Sequence, residues 1–332
     1  MNSLECNPIL TVYMLSYNHE KYLDMAISSV IMQETSFKFN LIIHDDASTD
    51  GSREIIARYK KKFPDMINVI YQKENKYSKG ENLFLNYILP FVNSKYLAVC
   101  EGDDFWIDKK KLQKQINFLE SNHDFIAVGH NVKFINDDGG DYTDYTPKVW
   151  TRMRNYEYKL KHANLHYPFA QIGSVVYRNF WLTNYEQAYK VFLSTPHVHG
   201  DMRLSIYLVC LGRVWFMKDV MSCYRKSLVN SSYSAISKNI NQCKRKVISI
   251  EEKKQIALIL NKKLTFKKEY KKNLYNAYCK YKHNFSKDDY EIFKFVLLNY
   301  PYHFPKITIF FLGIINFLNK CKQKITLCLK RR

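Results

Sequence analysis

The 332-residue chain carries 46% hydrophobic and 15% aromatic side chains, enough apolar surface for a large core, which excludes a disordered chain or a disulfide-stapled miniprotein. Its formal charge of +20 is concentrated late: residues 235–332 hold 23 of the 51 Lys and Arg but only 6 of the 31 Asp and Glu. The eight cysteines are scattered, with no CxxC pair and no Cys/His cluster at zinc spacing, which argues against a zinc module and for buried thiols in a reducing, cytosolic setting.

The first residues, Met1-Asn2-Ser3-Leu4-Glu5, lack a basic stretch followed by an apolar one, so no secretory signal is expected. From residue 8 to about 135, apolar runs alternate with segments of helical spacing. The runs are Ile9–Leu15, Phe39–Ile43, Ile67–Tyr71, Lys95–Cys100 and Phe125–Val132, each short and rich in β-branched or aromatic residues, as buried strands are. Between them, Tyr22, Met25, Ala26 and Val30 predict one helix, and Ile55, Ile56, Tyr59 and Phe63 a second. Leu83, Leu85, Ile88 and Leu89 predict a third, and Leu112, Ile116 and Leu119 a fourth. The alternation predicts an α/β fold, a mostly parallel sheet with helices on both faces. Residues 136–170 read as loop. Beyond them, Gly200-Asp201 precedes a helical run from Met202 to Leu211, and Arg213–Met217 reads as a strand.

Ligands of parallel sheets sit beyond the carboxyl ends of the strands. Three expected strand ends carry unusual chemistry: Ser16-Tyr17-Asn18-His19, then Asp45-Asp46-Ala47-Ser48-Thr49-Asp50-Gly51-Ser52, then Glu101-Gly102-Asp103-Asp104-Phe105-Trp106. A polar loop, Asn75 to Asn82, opens on the same edge. Asp45 and Asp46 suit hydrogen bonds to a ribose or a pyrimidine ring; the plainer reading is capping of the helix near Ser52, which accounts for Asp50. Three carboxylates among residues 101–104 repel one another unless a cation or protons compensate, and a hard divalent ion does so naturally. The alternative is a solvated acidic turn.

These four segments, in this order and spacing, resemble family-2 glycosyltransferases of the GT-A fold, over residues 8–130 and more weakly to about 228. The resemblance implies a nucleotide-sugar donor held by Ser16, Tyr17, Asp45 or Asp46, with Lys79 near phosphate. It implies Mn2+ or Mg2+ bound through Asp103, with Glu101 and Asp104 as ligands or their supports. Glu101 stands where the family usually has Asp. In inverting members the base is an Asp before a helix, which here is Asp201; an ordinary helix N-cap is the alternative. Arg225 resembles a family Tyr-Arg element near the pyrophosphate. His197 and His199 are given no role.

The expected organisation is a nucleotide-sugar-binding half, residues 1–135, an acceptor-binding half with the base, 136–234, and a basic helical tail, 235–332. The longest apolar stretch, Ile307 to Leu318, is shorter than the roughly 20 residues a spanning helix needs. The tail's lysine pairs and apolar residues instead suit peripheral attachment to an anionic membrane on its cytoplasmic face, or packing on the catalytic part. The expected function is metal-dependent, inverting transfer from a UDP-sugar to a glycan or lipid-linked saccharide in surface polysaccharide synthesis. The rivals are a sugar nucleotidyltransferase, disfavoured because no Gly-rich phosphate loop follows the first strand, and a nucleic-acid binder, disfavoured by the acidic strand ends.

Overall fold

The computed structural model describes residues 8–142, 150–151, 153–160, 168–194, 200–226, 253 and 255–262. The chain divides into two compact units. Every described residue belongs to the first, residues 1–238 with 252–264; the second, residues 239–251 with 265–332, lies outside the described residues.

Strands β1 (Leu10–Ser16), β2 (Phe39–Asp45), β3 (Ile67–Tyr71) and β4 (Tyr96–Val99) run parallel in the order β3-β2-β1-β4. Alternate residues of β1 and β2 enter two different cores. Leu10, Val12, Met14, Leu41 and Ile43 pack in one; Tyr13 and Ile42 pack in the other. Both faces are therefore covered, which is why these strands read as continuous apolar runs. Helix α1 (Glu20–Ile31) buries Leu23, Ala26, Ile27 and Val30, one stripe at the spacing of a helix face. Helices α2 (Ser52–Lys62) and α3 (Lys111–Ser121) add Ile56, Leu112, Ile116 and Leu119 to the same core.

The second half of the sheet is mixed. Strand β8 (Val176–Arg178) lies antiparallel between β4 and β6 (Phe125–Ile135). Strand β9 (Arg213–Arg225) runs parallel to β6, while β5 (Phe105–Trp106) and β7 (Tyr156–Tyr158) pair antiparallel with it. The expected halves at 135/136 thus share one sheet, since β8 is inserted between strands of the first. Helices α4 (Tyr185–Ser194) and α5 (Gly200–Leu211) follow β8.

Three expectations differ from the structure in detail. The helix expected around Leu83 to Leu89 is a π turn, Phe84–Ile88, followed by a 3-10 turn, Leu89–Phe91. Pro90 explains the irregularity, since its ring crowds the carbonyl four residues back and it donates no hydrogen bond. The loop-like stretch contains β7, and the strand predicted to stop at Met217 continues to Arg225. Of the basic tail, residues 255–259 are helical, with Ile256, Ala257 and Leu260 buried and Ile256 and Leu260 in the same core as α5. Most of the tail, with its proposed membrane contact, lies outside the described residues, as do His197 and His199. Among the described residues no helix is long and apolar enough to cross a membrane.

Candidate active site

The parallel strands β1, β2 and β4 end on one edge, and their following loops are laced together there. Past β4 the chain stays bonded to β1, with Cys100 N donating to Tyr13 O and Gly102 N to Leu15 O, each at 3.1 Å. A Cβ on Gly102 would stand 2.5 Å from His19 Nδ1 and 3.0 Å from Leu15 O. Only glycine lets the acidic turn lie this close to the start of α1.

After β2 the carboxylates face backbone. Asp46 accepts Lys76 N at 2.8 Å and Tyr77 N at 3.0 Å, so it holds the 75–82 loop against the sheet edge. Asp45 accepts Ser48 N and, at 2.7 Å, Arg53 Nε. Asp50 serves two helix starts, accepting Ser52 N and Glu20 N at 3.0 Å each; these bonds outweigh the opposing effect of burial and hold its carboxyl below the usual range. Among the described residues, Asp45 Oδ2 and Ser16 Oγ have no partner, and both atoms are sealed from solvent. Their residues face each other across the β1–β2 ladder.

After β4 the carboxylates face one another. Glu101, Asp103 and Asp104 each place an oxygen within 4.8 Å of the other two. Burial, then the charges of Asp103 and Asp201, push the Glu101 carboxyl up to about 8. Burial likewise raises Asp104, which also feels Asp103 and Glu101. Burial raises Asp201 as well, against the bond it accepts from Met202 N at 2.7 Å. The first turn of α5 therefore brings Asp201 to the acidic turn across about 100 residues of sequence. Carboxyls crowded this closely, all hard oxygen donors, fit a divalent cation such as Mg2+ or Mn2+.

Two residues brace the turn. Arg225 donates from its backbone N to Asp104 Oδ1 at 2.8 Å and from Nε to Asp103 O at 3.0 Å. Its Nη1 reaches Asn136 O and Asp137 O, and its guanidinium lies 4.2 Å from the Tyr22 ring centre. Gln171 Nε2 donates to Asp104 Oδ2 at 3.0 Å. Behind the turn the Trp106 ring carries the Lys111 ammonium 4.0 Å from its centre.

The structure thus gathers Glu101, Asp103, Asp104 and Asp201 at one place, with Arg225 as a buried brace. Ser16, Tyr17, Asp45 and Asp46 lie on the adjoining strand ends; of these, Tyr17, 39% exposed, is the one that presents a substantial surface. Lys79 stands apart, paired with Glu74 at 2.7 Å and half exposed. Sequence reading missed Gln171 and Tyr224. The Tyr224 phenol is raised by burial and by the charges of all four carboxylates, and its only signal in sequence was adjacency to Arg225. Gln171 stands just past the segment read as loop and carried no motif.

Residues 11–185, just over half of the chain, match the family described as Glycosyl transferase family 2. An uncharacterised protein of Mycobacterium tuberculosis is 34% identical over 169 residues, 51% of this chain and 46% of its own length. The Bacillus subtilis glycosyltransferase TuaG, named for teichuronic acid biosynthesis, is 36% identical over 34% of this chain and 42% of its own. This chain thus spans about half the length of these curated relatives. Staphylococcus aureus TarS, solved with UDP-GlcNAc, superposes at TM-score 0.57 and 16% identity, over 84% of this chain and 77% of its own. A Pyrobaculum calidifontis mannosyltransferase solved with GDP-Man and Mn2+ does so at TM-score 0.50 and 14% identity, over 96% and 87%. The chain belongs to glycosyl transferase family 2 and has the GT-A fold.

Proposed function

We propose that this chain is a glycosyltransferase that moves a sugar from a UDP-sugar to a hydroxyl of a glycan or lipid-linked saccharide, with inversion, in the synthesis of a surface polysaccharide. The observation that carries the reading is the meeting of Glu101, Asp103 and Asp104 with Asp201 at the strand-end edge. A nucleotide-sugar in the TarS structure, Mn2+ in the mannosyltransferase structure and the biosynthetic role in TuaG's name support it.

Asp103 and Glu101 would hold Mn2+ or Mg2+, with Asp104 fixed behind them by Arg225 and Gln171. The ion would supply positive charge to the diphosphate as negative charge develops on the leaving nucleotide. Tyr17 offers its exposed ring face to the nucleobase, with Ser16, Asp45 and Asp46 shaping the floor of the base site. Lys79 reaches phosphate by exchanging Glu74 for it. Arg225 acts on the pyrophosphate indirectly, by holding the Asp103 carbonyl and the Asp104 carboxylate.

Asp201 accepts the proton of the acceptor hydroxyl. As that O–H bond breaks, the oxygen bonds to the anomeric carbon from the face opposite the nucleotide. The bond from that carbon to the diphosphate breaks and its electron pair leaves with UDP. The raised proton affinity of Asp201 suits this role, since a base is more effective as its pKa approaches the working pH. The peripheral contact of the basic tail with an anionic membrane belongs to the same proposal, because a lipid-linked acceptor would be presented there.

The test is UDP release from a panel of UDP-sugars in Mn2+, with water as the acceptor. One donor should be turned over well above the rest, and a chelator should stop it. Pyrophosphate formed from UTP and a sugar phosphate, with no UDP release from any donor, would favour the nucleotidyltransferase instead.

A further inference from the structure

The acidic turn and Asp201 come from distant stretches of chain, and one short segment touches the elements that carry both. Ahead of β8, Phe169 N donates to Ser205 Oγ at 2.9 Å, and Ser205 lies four residues after Asp201, about one turn along α5. Two residues further on, Gln171 Nε2 donates to Asp104 Oδ2. The segment is then bolted beneath the turn twice more: Trp106 Nε1 donates to Gly173 O at 3.0 Å and Gln115 Nε2 to Ser174 O at 2.8 Å.

Every group in this chain of contacts is buried: Asp104 is 3% exposed, Gln171 3% and Ser205 4%. The segment is also stiff. Ser174 Oγ donates to Gln171 O at 2.6 Å, and a Cβ on Gly173 would meet Gln171 Oε1 at 2.9 Å. It lies so close to β6 that a Cβ on Gly129 would stand 2.5 Å from Ala170 Cβ and 2.9 Å from Phe169 Cε2.

We propose that residues 169–174 are a rigid spacer that sets the separation between the acidic turn and Asp201, with Gln171 and Ser205 as its positioning residues. The inference rests on the reading of the turn as the donor's anchor and Asp201 as the base. In-line displacement needs attacking oxygen, anomeric carbon and leaving oxygen aligned, and a misplacement of about 1 Å costs on the order of a hundredfold in rate. Gln171 locks the turn end of the spacer and Ser205 the helix end. Loss of either bond relaxes the same separation, so their effects are coupled.

The experiment uses the full chain, Mn2+ and the UDP-sugar that the wild type hydrolyses fastest, with sites counted by Mn2+-dependent UDP binding. Gln171→Met and Ser205→Ala should each lower kcat per UDP-binding site by about tenfold or more, with donor KM held within about threefold. The double variant should be little slower than the slower single one. An unchanged kcat per site in either single variant, whatever happens to its melting temperature, overturns the spacer; so do losses that multiply. Asp201→Asn in the same assay separates the two levels. Full activity there removes the base assignment, whereas an inactive Asp201→Asn beside a fully active Gln171→Met removes only the spacer.

Discussion

Asp45, Asp46 and Asp50 lie at and beyond the end of β2 much as Glu101, Asp103 and Asp104 follow β4, and both stretches are rich in carboxylates. In the folded chain Asp46 and Asp50 each accept two backbone N–H groups and Asp45 accepts Arg53 and Ser48 N. The carboxylates of the later loop converge instead, with Asp201 added from α5. The first loop places its charges on backbone N–H groups and Arg53; in the second, Asp104 is likewise held by Arg225 N and Gln171, while Glu101 and Asp103 are left to repel one another and Asp201. A carboxylate's role is therefore set by the count of donors around it, a property of the fold and not of the residue type.

The contrast can be broken at several points. Asp201→Asn should lower UDP release by about a hundredfold to ten-thousandfold, the usual contribution of a positioned base, while leaving Mn2+-dependent UDP affinity intact; steady-state kinetics beside calorimetry checks both. Asp46→Ala removes two charge-assisted bonds and strands two amides, at a cost of about 3 kcal/mol. A scanning calorimeter should read that as a fall of about 6–12 °C in melting temperature, given 2–4 °C per kcal/mol for a unit of this size.

Gly102→Ala forces a methyl against the Leu15 carbonyl as well as His19, and about 1–3 kcal/mol of stability should be lost, as in other overpacked sites. The smallest effect is the sharpest contrast with Asp46. In metal-free protein Asp103→Ala should leave the melting temperature unchanged or raise it, since it relieves repulsion. The same repulsion has a pH signature. Glu101 rises from 4.5 to about 8 in the folded state, so the fold binds a proton that the unfolded chain releases. That contribution to stability is present below pH 4.5 and is lost as pH climbs to about 8. Mn2+ competes with the proton, so the rise in melting temperature on adding Mn2+ should be larger at pH 8 than at pH 6, as thermal-shift titrations would show.

Much of the architecture was legible because both faces of β1, β2 and β4 are covered, leaving apolar runs, and because α1, α2 and α3 each bury one stripe. The continuation of β9 was not legible: Lys218, Asp219 and Val220 are exposed and break the apolar pattern, and the strand persists through pairing with β6 and β5. At the site, acids and spacing identified the candidates but not their tasks. Asp46 reads in sequence as a contact for a ribose or nucleobase, whereas its partners are backbone amides 30 and 31 residues away, which no side-chain pattern reports. Arg225 was picked out by resemblance, while its bracing of two carbonyls near residue 136 appears only in three dimensions. Gln171 gave no sign at all, being one polar residue in an irregular stretch.

The central claim concerns the acids after β4, and calorimetric titration of UDP with and without Mn2+ addresses it directly. The wild-type chain should bind UDP at least about tenfold more tightly in Mn2+, a coupling of roughly 1.4 kcal/mol, and Asp103→Ala should erase that gain. Equal UDP affinity in the presence and absence of Mn2+, or a full gain retained in Asp103→Ala, would contradict it.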